Sequence, residues 1–128
     1  MKLRPTLGCA VAVALAASAP AMAQSDISPR YDGTYAGAMV PAPALSGGAC
    51  GTHTIAGVTV RNGIIGTEAG REIVIAGFIT ENGFVRGRLG RMQAPSILLE
   101  GHVDGRELTG GAIDERIGCA WIVKLQRG

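Results

Sequence analysis

The sequence predicts a small all-β domain, an antiparallel meander of 6–8 short strands that closes or nearly closes into a β-barrel, with a β-sandwich as the alternative. Three observations carry this. Asn62-Gly63, Asn82-Gly83 and Asp104-Gly105 are hairpin signals, because both residue types tolerate the positive φ that tight reversals need. Apolar residues alternate with polar ones between those turns: Val85, Gly87 and Leu89 oppose Arg86 and Arg88, and Leu99, Gly101 and Val103 oppose Leu98, Glu100 and His102. Glycines recur inside the same segments, at Gly57, Gly77, Gly87, Gly101 and Gly110. They would each cost about 1 kcal/mol in a helix, but they let a strand bend sharply or another backbone come close.

Taken in order, residues 24–32 are polar and read as a loose lead-in. Gly33 to Val40 is the first strand candidate. Pro41 and Pro43 then lack the donors a ladder needs, so 41–53 reads as a long loop carrying Cys50. Further strands are expected at Thr54–Arg61, Ile64–Thr67, Glu72–Thr80, Phe84–Gly90, Ile97–Val103, Arg106–Gly111 and Cys119–Gln126. Consecutive short strands favour antiparallel neighbours, and closure of the meander removes edges that invite aggregation. In outline such a domain is similar to avidin-like and lipocalin-like barrels. No residue motif here matches either, so neither family's ligands are carried over.

Residues 1–23 read as a cleavable signal peptide. Lys2 and Arg4 precede an apolar run from Leu7 to Ala19, Pro20 ends it, and Ala21-Met22-Ala23 supplies the small-x-small cleavage pattern. The run falls short of the roughly 20 residues a spanning helix needs, and no later run reaches that length. Cys9 lies too early, with no apolar segment before it, to act as a lipidation site. The working unit is then one domain over 24–128, secreted or periplasmic. Loss of Lys2 and Arg4 leaves ten basic and ten acidic residues of the twelve and ten in the full sequence. A neutral domain gives no general argument for nucleic acid or an anionic membrane as partner.

Two cysteines remain after cleavage, Cys50 and Cys119. An oxidising compartment favours their pairing. The bridge closes a loop of about 70 residues and stabilises the fold by roughly 4 kcal/mol in the chain-entropy model. Cys119 also shares the phase of Trp121, Val123 and Leu125, the pattern of an inward strand face.

Candidate chemistry is sparse. His53 and His102 belong to no zinc motif, no serine sits in a Gly-x-Ser-x-Gly elbow, and Asp104 and Asp114 are explained as turn residues. No metal or cofactor site is expected. Arg86, Arg88 and Arg91 form a local cluster. It reads either as an anion-binding face or as a solvated strand face paired with glutamates. The expected function is a non-enzymatic exported binding or interaction module, its partner a small apolar ligand or a protein. In the protein-facing version the 41–53 loop is the presented element. Two alternatives are a small extracytoplasmic hydrolase using His53 or His102, and a self-associating structural envelope protein.

Overall fold

The computed structural model describes residues 26–43, 50–91 and 94–128. The signal-peptide reading and the tip of the 41–53 loop lie outside them. Eight strands follow in order: β1 Gly33–Pro41, β2 His53–Arg61, β3 Ile64–Thr67, β4 Val74–Ile79, β5 Phe84–Arg91, β6 Ala94–Asp104, β7 Glu107–Asp114 and β8 Cys119–Arg127. Each pairs antiparallel with its neighbour, and β8 returns to β1 from Tyr35↔Arg127 to Pro41↔Trp121. The expected closed barrel is the observed one, and the sandwich is set aside. Among the described residues no helix is long and apolar enough to cross a membrane.

Strand ends differ from the sequence reading where long-range pairing overrides local punctuation. Gly110-Gly111 was expected to end β7. Instead Ala112 and Ile113 continue the ladder against Trp121 and Ala120. Pro41 does not stop β1 one residue earlier, because proline needs no donor at a strand's last position and Ala42 N–H reaches Ala120 O at 2.9 Å. His53 is not in the loop: it opens β2 opposite Met39.

The three glycine turns are not alike. At Asn62 (φ 55°) and Gly63 (φ 79°) both central residues are left-handed, the two-residue mirror turn that matches strand twist. At 82–83 only Gly83 (φ 90°) is left-handed, and its N–H closes on Thr80 O at 2.9 Å. At 104–105 the paired residue Asp104 still faces Glu107, so the turn is Gly105-Arg106 with Gly105 at φ 64°. The expectation of two positive φ angles per turn therefore holds at the first turn and is corrected at the other two.

Two cross-strand glycine pairs explain how so short a chain closes. Gly77 faces Gly87 and Gly101 faces Gly110, all on the inward phase. A β-carbon at Gly77 would stand 2.3 Å from Arg86 O, and one at Gly101 would stand 2.4 Å from Thr109 O. Backbone occupies the space a side chain would need, so the strands coil tightly there. Above and below these positions the interior is filled: Val58, Ile75, Val85, Leu99, Leu108 and Val123 are buried at 2% exposure or less. Apolar burial of this kind contributes about 25 cal/mol per Å².

One end of the barrel is sealed. The lead-in expected to be loose is docked: Ile27 bridges to Thr80, Ser28 N–H donates to Ile79 O at 3.0 Å, and Pro29–Tyr31 form a 3-10 turn capped by Ser28. Asp32 accepts from the N–H groups of Asn62 (2.7 Å) and Gly63 (3.0 Å), and the buried Tyr35 hydroxyl donates to Tyr31 O at 2.6 Å. These contacts join residues 30 or more apart in sequence, apart from the Ser28 cap, which spans two residues, and Tyr35 to Tyr31, which spans four. No local pattern announces the longer ones.

Candidate functional site

At the opposite end the described residues leave a mouth. The polypeptide around Cys50 is tied to the start of β8 by the expected disulfide, Cys50–Cys119, its cysteines 69 positions apart in sequence and their Cα atoms 5.7 Å apart. Two residues on, the Trp121 indole N–H donates to Gly51 O at 2.8 Å. The bridge and this hydrogen bond fix the loop's C-terminal arm beside the mouth, and Cys119, Trp121, Val123 and Leu125 all point inward as their alternation implied.

Inside the mouth lies a cavity of about 300 Å³, at the small end of the range for ligand sites. Met39 from β1, Leu89 from β5, Ile97 from β6 and Trp121 from β8 line it, with Ile73 and Ile117 from the adjoining loops. His53, Arg91, Ser96, Asp114 and Arg116 bring the polar atoms. His53 and Asp114 continue an inward phase past the packed core, two residues from Ile55 and Ala112, while Arg91 is exposed past a register irregularity between Leu89 and Arg91. The same alternation that fills the barrel with Ile, Val and Leu thus delivers charge at its rim.

The polar groups are unequally satisfied. The buried Asp114 carboxylate accepts from Arg116 N–H at 3.1 Å and from its guanidinium Nε at 3.2 Å, and the same guanidinium donates to Ser96 Oγ at 3.0 Å. The Arg116 side-chain hydrogen bond, opposed by burial, holds the Asp114 carboxyl below the usual carboxylate range. His53 meets the edge of Trp121, with ring centroids 6.3 Å apart and planes at 62°. Arg91 makes no hydrogen bond or ion pair among the described residues.

The arginine cluster is divided by the fold. Arg86 lies on the outer wall, paired with Glu100 through Nε at 3.1 Å and stacked over Phe84 at 5.7 Å. Arg88, also outside, faces Ala76 and Leu98 on the neighbouring strands. Arg91 alone belongs to the mouth. The three do not form one face, because the ladder shifts register between Leu89 and Arg91 and only Arg91 lines the mouth.

The histidines are separated as well. His102 is exposed on the outer wall beside Phe84, close to the Asn82-Gly83 turn of the sealed end. His53 shares the mouth with Ser96 and Asp114, but the hydrogen-bonding atoms of both are engaged by Arg116, and no bond links either to the imidazole among the described residues. A general base needs hydrogen-bond reach to its proton donor, and among the described residues neither histidine has an acidic or nucleophilic partner. No group of three metal-ligating side chains comes together among the described residues.

Trp121, Met39 and Arg116 are site residues that sequence reasoning did not single out. Trp121 was legible as inward-facing, but nothing local told that the packing ends just above it. A scan against protein-family models, a search of curated proteins and a search of solved structures each return no match to the chain.

Proposed function

We propose that the protein is an exported, non-catalytic module that holds a small apolar ligand in the open mouth of its barrel. The observation that carries this is the contrast along one interior: packed through the middle and sealed at the lead-in end, yet left with a cavity of about 300 Å³ at the other. An apolar floor with a few convergent polar groups at the rim is the usual composition of a small-molecule site. The scarcity of aromatic residues, 4% of the chain, agrees with a small cup rather than a large one. The tethered loop supports the same reading, since a mouth held by a disulfide loses little freedom when a ligand enters. That bridge also supports export to an oxidising compartment.

Trp121 is the sole tryptophan of the chain and lines the cavity, so it reports on occupancy directly. Titration with the neutral apolar probe N-phenyl-1-naphthylamine is expected to give saturable energy transfer from Trp121. Ile97→Phe, which grows a half-buried rim residue into the cavity, is expected to weaken it at least about tenfold, the loss of about 1.4 kcal/mol, with the thermal midpoint kept. Absence of saturable transfer in the unaltered protein would refute the proposal.

A second reading rests on the outer wall. Leu98 faces Ile113 and Val40 faces Ile122 across their ladders, and all four are exposed. Such a row suits self-association or a protein partner.

A further inference from the structure

The cavity's charge names the chemistry of its occupant. Four titratable or charged residues line it: His53, Arg91, Asp114 and Arg116. Asp114 and Arg116 cancel, bound to each other within 3.3 Å through both carboxylate oxygens. His53 is in edge contact with Trp121 and pairs with no charge among the described residues. What remains among the described residues is one uncompensated positive charge, the exposed Arg91 guanidinium, lining the mouth beside the apolar floor of Met39, Leu89 and Trp121. A neutral apolar molecule that covered part of this exposed cation would strip some of its water and return nothing. The arrangement instead matches a molecule with a hydrocarbon body and one anionic end. Guanidinium and carboxylate meet in the planar two-bond geometry that distinguishes arginine from lysine.

We infer that the ligand is an amphipathic carboxylate, its chain on the apolar floor and its head on Arg91. This rests on the mouth being the binding site. Arg91 is then the residue that selects for charge, while Arg116 stays occupied with Asp114 and Ser96 and serves to shape the rim.

The test compares octanoate with 1-octanol, which differ at the head alone, by Trp121 fluorescence titration of the full protein. Octanoate is expected to bind about tenfold more tightly than octanol, in line with one charge-assisted hydrogen-bond pair at a partly exposed site. Arg91→Gln is expected to remove that preference and leave octanol affinity within about twofold, and Arg91→Lys to restore it in part. Arg88→Gln, three positions away on the outer wall, is expected to change neither. Added salt should weaken octanoate and spare octanol. Equal binding of the two compounds, or a preference that survives Arg91→Gln, overturns the inference and leaves the cavity reading in place. Failure of both compounds to bind the unaltered protein, together with failure of the naphthylamine probe, removes both.

Discussion

A β-carbon at position 77 has no room, while one at position 66 meets nothing within 4 Å. That difference separates two glycines the sequence presents alike, each inside a short, mostly apolar strand. Gly77→Ala drives an atom against the Arg86 carbonyl, which belongs to a paired strand and cannot move without breaking the ladder. The expected cost is about 3 kcal/mol, the upper part of the range for overpacking. Gly66→Ala, by contrast, should be neutral or stabilise by up to about 1 kcal/mol through the unfolded chain. Chemical denaturation of both variants checks this. Glycines inside strands were readable as signs of sharp curvature. What was not readable is that they face each other, Gly77 with Gly87 and Gly101 with Gly110, because register is set by pairing across the sheet. Arg91 teaches the converse. Its proximity to Arg86 and Arg88 in sequence invited grouping with them, but it lies past a register irregularity in the ladder and lines the mouth.

Among elements, the segment 26–32 departs furthest from its sequence. It is polar and lacks alternation, and those local signals say loop. Its order comes from partners elsewhere in the chain: Thr80, Ile79, Asn62 and Gly63 on the turns it covers. Ser28 Oγ also donates to Glu81 Oε1 at 2.6 Å, and Arg30 stands 3.4 Å from the other oxygen. The Ser28 hydrogen bond, opposed by burial and helped by Arg30, holds the Glu81 carboxyl below its usual range. A carboxyl whose folded value is depressed adds stability above its unfolded pKa, about 4.3 for glutamate. That contribution is lost as the pH falls through the folded value. Glu81→Gln is therefore expected to lower the thermal midpoint at neutral pH, and the gap from the unaltered protein should close in acid, below about pH 4. A gap of constant size from neutral to acid pH would show that the carboxylate's charge does not hold the seal.

For the whole molecule, closure was legible because every local signal agreed: short alternating segments, tight reversals and glycines that let strands coil. The disulfide was legible from the expectation of export and the two cysteines that it leaves. The site was not, because its location depends on which end of the barrel the chain happens to cover, and the covering segment looked unstructured. Once the lead-in seals one end, the other is left with space above Trp121, and the cavity follows. The outer wall offers the competing surface, with Leu98, Ile113, Ile122 and Val40 exposed along neighbouring strands. Backbone amide chemical-shift mapping during titration with N-phenyl-1-naphthylamine distinguishes the two in a single spectrum. The cavity account predicts saturable shifts confined to the mouth, at Met39, His53, Leu89, Ile97 and Trp121. Shifts centred on Leu98, Ile113 and Ile122, with the mouth unchanged, would contradict it.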